Sequence, residues 1–243
     1  MQEITDDQVL AVDYFHDFLE FLKSVSQKPM QRTATGNISL SEIANLSKTF
    51  RQGKQLLFLN EEYGWKVRSE MDCQYLHQIR VTTEVMYLIY KRKGEFHLSK
   101  NGLAYLANIS PAQQYEAMVL WFWNRVNWDY FSLGKITKIL QRDQRQIWVN
   151  LLRAGNEWLE FKPFCQALKF YLHLEQYYKG DDPSKDFHLY LDVRSGLLMR
   201  NLVRFGCVET QVKKGKSSWD DELIQFRSTD LGLHLYKLGL EPF

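Results

Sequence analysis

The sequence has few cysteines, no closely spaced cysteine pair and no long hydrophobic run. Its three cysteines, Cys73, Cys165 and Cys207, form no CxxC, which argues against a zinc cluster or a disulfide framework. The longest apolar run, AMVLWFW at 117–123, is far shorter than the roughly 18 to 20 residues that span a bilayer. The N-terminal stretch is acidic and helical in pattern, unlike a signal peptide. We therefore expect a soluble, cytoplasmic protein with no membrane partner and with buried, reduced thiols.

Sequence signatures of catalysis are also missing. No GxSxG, GxGxxG or GxxxxGK[ST] occurs, so the chain lacks the local patterns of acyl transfer and nucleotide binding. The six histidines form no HExxH and no paired i, i+4 ligand spacing, and each is expected at the surface or the edge of the core. The sequence predicts a protein that is not an enzyme and that needs no cofactor and no metal.

What the sequence does contain is enough apolar material for a substantial core. Hydrophobic residues make up 45% and aromatic residues 14% of the 243 positions. Apolar residues recur at helical spacing over 5–25, 39–50 and 69–87, and again over most of 111–178. The sequence therefore predicts a mainly α-helical protein with small β-hairpins, an α+β fold.

Two segments change from the helical period to strand alternation around a basic turn. The first runs through YLIYKR, a tight turn at Lys93–Gly94 and EFHLS, and the second through CVETQV, the tip KKGKSSWDD and ELIQFRS. A helix precedes and follows each hairpin. The β-branched run at 81–83 is expected to break or bend the helix before the first hairpin.

The surroundings of the two hairpins form a weak internal repeat. FHLSKNGLAYL at 96–106 aligns with FRSTDLGLHLY at 226–236, which places Phe96 on Phe226. In the same alignment a Ser or Thr falls three residues before a glycine in both copies. One such motif is common, but two in the same context favour two modules of one architecture.

The order of helix, strand, basic turn, strand and Ser/Thr-x-x-Gly helix resembles the wing of bacterial winged helix-turn-helix proteins. The stretch RTATGNISLSEI at 32–43 with KVRSEMDCQYLHQIR at 66–80 is also similar to an uncharacterised bacterial family with winged-helix-type modules. This resemblance implies two winged-helix modules joined by a helical segment. The corresponding domains are 1–110 for the N-terminal module, 111–180 for an aromatic-rich connecting segment, and 181–243 for the C-terminal module, with KGDDPSKD at 179–186 as a linker. The resemblance also implies recognition helices at Gln74–Tyr87 and Val193–Phe205.

Positive charge gathers at both hairpins although the net charge of the chain is only +2. Between 80 and 100 there are five cations and two acids, and between 197 and 217 there are five cations and one acid. The residues expected to contact DNA phosphates are Arg80, Lys91, Arg92 and Lys93, followed by Arg200, Arg204, Lys213, Lys214 and Lys216. The alternative is that these cations only keep exposed turns soluble, and the acids of WDDE at 219–222 weaken the second hairpin as a DNA contact.

The aromatic segment WFWNRVNWDYF at 121–131 has two interpretations. Rings beside a cation are typical of a platform for single-stranded nucleic acid, whereas rings at helical spacing are more typical of a core or a dimer seam, which we favour. The leading functional hypothesis is a double-stranded DNA-binding transcription regulator that acts as a homodimer. The alternative is a non-enzymatic scaffold that holds a protein partner through the same modules, because a fold does not determine a function.

Overall fold

The computed structural model describes residues 4–61, 63–131, 134–178, 185–215 and 221–243. The described chain divides into two compact units, 4–126 and 127–243. Both are mainly helical and each contains a three-stranded antiparallel sheet, so the predicted mainly α, α+β class is confirmed at that level. The predicted boundaries at 110 and 180 stay predictions, and most of the predicted linker, 179–184, lies outside the described residues.

The first unit contains seven helices among its described residues. Their bounds are α1 Asp6–Leu10, α2 Asp13–Gln27, α3 Leu40–Leu46, α4 Lys54–Leu57, α5 Gln74–Val85, α6 Lys100–Asn108 and α7 Pro111–Arg125. Thr5 caps α1 with a complete capping box, and Ser110 does the same for α7. The single helix predicted over 5–25 is instead two helices, because the backbone of Val12 is extended between them.

The first sheet consists of a short strand and a hairpin. Strand β1 (Met30–Gln31) pairs with β5 (Glu95–Leu98), which pairs with β4 (Ile89–Arg92), in the order β1-β5-β4. Met30 lies opposite Phe96, whose ring is fully buried. The hairpin has the predicted turn, and the two-residue β1, which is too short for a visible alternation, is an addition to the prediction.

An insertion separates α3 from α5 in the first unit. After α3 the chain forms α4 and then a two-stranded ribbon, β2 (Phe58–Asn60) and β3 (Trp65–Lys66). A 3₁₀ turn at Glu70–Asp72 leads into α5. The sequence at this point, NEEYGW, predicts only a break between helices, so the ribbon is a feature that the sequence analysis missed.

The second unit repeats the order of the first without this ribbon. Its helices are α8 Thr137–Arg142, α9 Gln144–Ala154, α10 Phe161–Tyr171, α11 Lys185–Asp192 and α12 Asp230–Leu240, with a π-helical segment at Val193–Val203 and 3₁₀ turns at Trp128–Phe131 and Leu174–Tyr177. Its strands are β6 Leu159–Glu160, β7 Val208–Lys213 and β8 Glu222–Ser228, in the order β6-β8-β7. Leu159 lies opposite Phe226, as Met30 lies opposite Phe96 in the first unit.

The start of the helix after each hairpin has the same hydrogen bonds in both units. In the first, the Ser99 hydroxyl accepts from Gly102 N at 2.9 Å and donates to the Tyr87 carbonyl at 2.7 Å. In the second, the Thr229 hydroxyl accepts from Gly232 N at 3.0 Å and donates to the Gly206 carbonyl at 2.7 Å. The two motifs that align in sequence therefore have one local geometry.

In each unit, a glycine in the capped helix lies very close to the backbone that precedes the hairpin. A Cβ added to Gly102 would lie 2.3 Å from the carbonyl oxygen of Leu88, and one added to Gly232 would lie 2.1 Å from that of Cys207. Only glycine permits this approach, because backbone atoms on both sides cannot move aside cheaply. The repeated glycine is thus a packing requirement of the shared architecture.

The aromatic segment at 121–131 contributes largely to the core. Phe122, Trp123, Trp128 and Phe131 are buried, which confirms the core interpretation for these four rings. Tyr130 is the clear exception, with 67% of its surface exposed. No helix within the described ranges is long and apolar enough to cross a membrane.

Candidate functional site

The first hairpin presents its cations on a tightly specified turn. Lys93 and Gly94 both have positive φ, 48° and 78°, which is the backbone of a two-residue type I′ turn. The strands run in register from Ile89 opposite Leu98 to Arg92 opposite Glu95. Lys91, Arg92 and Lys93 are all exposed. The fold therefore brings three of the predicted residues to one solvated edge.

The three cations are not equally available to a ligand. Lys91 Nζ forms an ion pair with Glu84 Oε1 at 2.9 Å and lies 5.8 Å from the centre of the Phe96 ring. Arg92 and Lys93 make no ion pair with another described residue. The Glu95 carboxylate opposite Arg92 accepts instead from the Gln31 amide at 2.5 Å. Among the described residues, Arg92 and Lys93 are thus the cations of this tip that no carboxylate neutralises.

Arg80 lies in the interior, away from the hairpin tip. Only 6% of its surface is exposed, its Nε donates to Glu70 Oε1 at 2.6 Å, and its Nη1 lies 3.1 Å from Glu84 Oε2. The same Glu70 carboxylate contacts His77 Nδ1 at 2.7 Å and accepts from the backbone N of Ile38 at 2.5 Å. Arg80 holds the insertion against α5, and a buried guanidinium that is paired with two carboxylates is not available to a phosphate.

The ionisation of Glu70 follows from these contacts. Burial raises the pKa of its carboxyl, but hydrogen bonding from His77 and the charge of Arg80 outweigh this, so the pKa lies below its usual range. Glu70 is therefore a charged carboxylate at neutral pH. A buried carboxylate of this kind stabilises a structure only when its partners are all in place.

Helix α5 is mostly covered: eight of its side chains are buried and the other four are half-buried. None of its side chains from Gln74 to Val85 is exposed, because α2, α4, α7 and the 3₁₀ turn at Glu70–Asp72 pack around it. Of the break or bend predicted at 81–83, the break is wrong, because the helix is continuous from Gln74 to Val85. The hydroxyls of Thr82 and Thr83 donate to carbonyls of the preceding turn. Little of the surface of this helix is therefore open to a DNA groove. The segment that covers part of α5, residues 54–72, has no pattern in the sequence that predicts this packing.

The predicted cations of the second hairpin are less available to a ligand than those of the first. Arg200 is partly buried and donates to the Phe131 carbonyl, and burial followed by the nearby charge of Arg204 lowers its pKa. Lys213 is exposed, and its cross-strand neighbour is Glu222. Lys214 forms an ion pair with Asp221 at 2.7 Å. Arg204 is half-buried at the end of the π-helical segment, and Lys216 lies outside the described residues.

Another group of exposed residues lies on the inserted ribbon. Tyr63 and Trp65 have 53% and 58% of their surfaces exposed, and their ring centres are 5.7 Å apart. Lys66 follows on the same strand and is also exposed. The signal in the sequence is an aromatic pair around a glycine, YGW, followed by alternating cations in KVR.

Comparisons with known proteins provide no relative for this chain. No family model, no curated protein and no solved structure matches it. Within the described ranges, no group of three or more His, Cys, Asp or Glu side chains is arranged to hold a metal ion. The assignment of a function therefore rests on the geometry of the two units.

Proposed function

We propose that each unit is a winged helix-turn-helix module. In support, both have, among their described residues, a helix, a two-residue strand, four further helical segments, a hairpin and a capped closing helix. In both, the second hairpin strand lies at the centre of the three-stranded sheet. In this proposal β4–β5 and β7–β8 are the wings, and α5 and the π-helical segment occupy the position of recognition helices.

We propose that the first wing binds double-stranded DNA through its phosphates. The observation that carries this proposal is the pair of exposed cations, Arg92 and Lys93, at a tight turn, neither of which pairs with a carboxylate of the described residues. Cations that contact phosphates release the counterions condensed on a duplex, which gives affinity without any base contact. Lys91 contributes less, because Glu84 already neutralises it.

The covered α5 limits what this contact can do. Phosphate contacts position a protein on DNA, whereas base edges must be reached to read sequence. Regulation of transcription, the use that the sequence suggests, would in this proposal rest on sequence-tolerant binding by the wing and not on base reading by α5. The second wing makes a smaller contribution because Asp221 pairs with Lys214.

The test is binding of the purified protein to a labelled mixed-sequence duplex, followed by fluorescence anisotropy between about 50 and 200 mM salt. We expect the affinity to fall steeply with salt, and the double variant Arg92→Ala/Lys93→Ala to bind about ten-fold more weakly at low salt. The slope of log K against log salt should decrease by about 2 in magnitude, close to one for each lost phosphate contact.

A matched control removes the same charge elsewhere in the first unit. Lys28 and Lys48 are exposed cations, so Lys28→Ala/Lys48→Ala lowers the net charge equally without changing the wing. This control should bind the duplex almost as the parent protein does. Equal losses in the two double variants, or no duplex binding at about 50 mM salt, would contradict the proposed role of the wing.

A protein-interaction scaffold is the second candidate, and two observations favour it. A winged helix whose recognition helix is covered has lost its usual DNA-reading surface, and the first unit exposes 68% of Tyr87 and 57% of Leu103. A second copy of the chain is the simplest partner for this apolar surface. If so, sedimentation velocity should show a dimer that Leu103→Glu converts to a monomer, while Arg92→Ala/Lys93→Ala leaves it unchanged.

A further inference from the structure

The ribbon formed by β2 and β3 projects from the first unit with little support. Its strands pair with each other, Phe58 opposite Lys66 and Asn60 opposite Trp65, and α4 is the main element beside it. Leu59, Tyr63, Trp65 and Lys66 are exposed, whereas Glu62 lies outside the described residues. A two-stranded ribbon alone is only marginally stable in water, so rings placed on it contribute little to a core.

The turn holds the two rings in a defined arrangement. The Asn60 side chain accepts a hydrogen bond from the backbone N of Tyr63 at 2.9 Å, which fixes the residue that carries the first ring. Gly64 has a φ of 64°, and a Cβ added there would meet no atom within 4 Å. The planes of Tyr63 and Trp65 are tilted by 36°, and more than half of each side chain is open to solvent.

Positive charge accompanies the rings. Lys66 and Arg68 are exposed and form no ion pair with another described residue. The Glu61 carboxylate is occupied by Lys54 at 2.9 Å, so its charge is compensated. The two rings offer a flat π-face, and Lys66 and Arg68 after them offer contacts for negative charge, the two features that an unpaired nucleotide uses.

We propose that this ribbon binds single-stranded nucleic acid. An unpaired base stacks on Trp65 with Tyr63 beside it, and the neighbouring phosphates contact Lys66 and Arg68. A duplex would not be held in this way, because its base faces are hidden within the stack. This inference goes beyond the proposed function: it concerns a different surface, different residues and unpaired nucleotides.

Two fluorescein-labelled probes test the proposal by anisotropy at about 50 mM salt: a twelve-residue oligothymidine, and a mixed-sequence duplex. Trp65→Ala should bind oligothymidine at least about ten-fold more weakly, as expected for the loss of one stacked base. The conservative variant Trp65→Phe keeps a ring and should retain most of the affinity. Duplex binding should be unchanged in both variants.

The matched control is Tyr130→Ala, which removes an exposed ring from the second unit. It should bind oligothymidine as the parent protein does. Equal binding by Trp65→Ala and the parent, or an equal loss in Tyr130→Ala, would overturn the proposal. It would also be overturned if Trp65→Ala leaves oligothymidine binding intact but abolishes self-association in sedimentation velocity, because the ribbon would then be a protein contact.

The two proposals fail separately in these measurements. Arg92→Ala/Lys93→Ala should weaken duplex binding and leave the effect of Trp65→Ala on oligothymidine intact. Duplex binding that Arg92→Ala/Lys93→Ala leaves unchanged would overturn the wing proposal alone, and oligothymidine binding that Trp65→Ala leaves unchanged would overturn the ribbon proposal alone. Urea unfolding of Trp65→Ala should match the parent protein, because the side chain is exposed.

Discussion

The two hairpins stand on the same hydrogen-bonded frame but carry different turns and charges. In the first unit, Lys93 and Gly94 close the hairpin directly, so its cations are held at a short, rigid tip. In the second unit, β7 ends at Lys213 and β8 begins at Glu222, and Asp221 pairs with Lys214. The comparison indicates that the frame is a structural requirement, whereas the charge at the tip is free to differ.

The interiors of the units differ in charge as well. The first unit buries the Glu70 carboxylate with Arg80, and it buries Asp17, which accepts from Tyr75 and from two backbone N–H groups. The buried polar side chains described in the second unit are uncharged. Charged groups in the first unit fasten inserted and looped segments onto its helices, and the second unit has no such insertion among its described residues.

The largest expected effect comes from the glycine that both units share. Gly102→Ala and Gly232→Ala should each lower the free energy of unfolding by about 3 kcal/mol or more, since the added Cβ would overlap a backbone carbonyl. Urea unfolding measures this effect, and hydrogen exchange assigns it to one unit. Gly64→Ala is the control: its φ is positive, unlike that of Gly102 and Gly232, but the space around it is open, so it should cost only about 1 kcal/mol.

Replacement of the buried Glu70 carboxylate should change how the stability of the first unit depends on pH. Glu70→Gln should destabilise the protein by about 2 kcal/mol at pH 7, because charged hydrogen bonds from His77 and Arg80 are lost. The folded-state pKa of Glu70 is lowered, so its stabilisation is present above the unfolded pKa of about 4.3 and is lost as pH falls through the folded pKa.

The parent protein should therefore lose stability on acidification below about pH 4.3, and Glu70→Gln should lose less. Urea unfolding between pH 7 and pH 3 measures this difference. Glu61→Gln removes a carboxylate from an exposed pair and should change stability by no more than about 0.5 kcal/mol. An equal acid sensitivity of Glu70→Gln and the parent would show that other carboxylates control it.

The features that the sequence predicted correctly are local ones. Strand alternation around Lys93–Gly94 and the Ser/Thr-x-x-Gly cap depend on residues within a few positions, so both hairpins and both closing helices could be located. The two-residue strands β1 and β6 could not, because they exist only through pairing with a distant hairpin. The alignment of Phe96 with Phe226 was the useful long-range signal.

The candidate site likewise contains residues that the local sequence predicts and residues whose position depends on distant parts of the chain. Arg92 and Lys93 were predicted from a run of cations at a turn, and turns lie at the surface. Arg80 belongs to the same cluster along the chain, but it is buried in an ion pair with Glu70. Glu70 lies in the insertion, which no sequence pattern predicts. Counting charge along a sequence cannot show which cations fold against an acid, and that requires the packing of α5.

The smallest expected effect concerns the residue that ends the helical segment before each hairpin. Tyr87 has a φ of 57° where Gly206 has a φ of 62°, so the same left-handed turn is made by tyrosine in one unit and by glycine in the other. Gly206→Ala should lower the free energy of unfolding by about 1 kcal/mol, because a Cβ is disfavoured at this φ.

Tyr87→Gly should change the free energy of unfolding by less. Relief of the same backbone strain is offset by loss of the edge contact with Trp121, whose ring centre lies 6.2 Å from that of Tyr87. Urea unfolding of both variants measures the difference, and a larger loss in Tyr87→Gly than in Gly206→Ala would mean that the Tyr87–Trp121 contact, and not the turn, determines stability at this position.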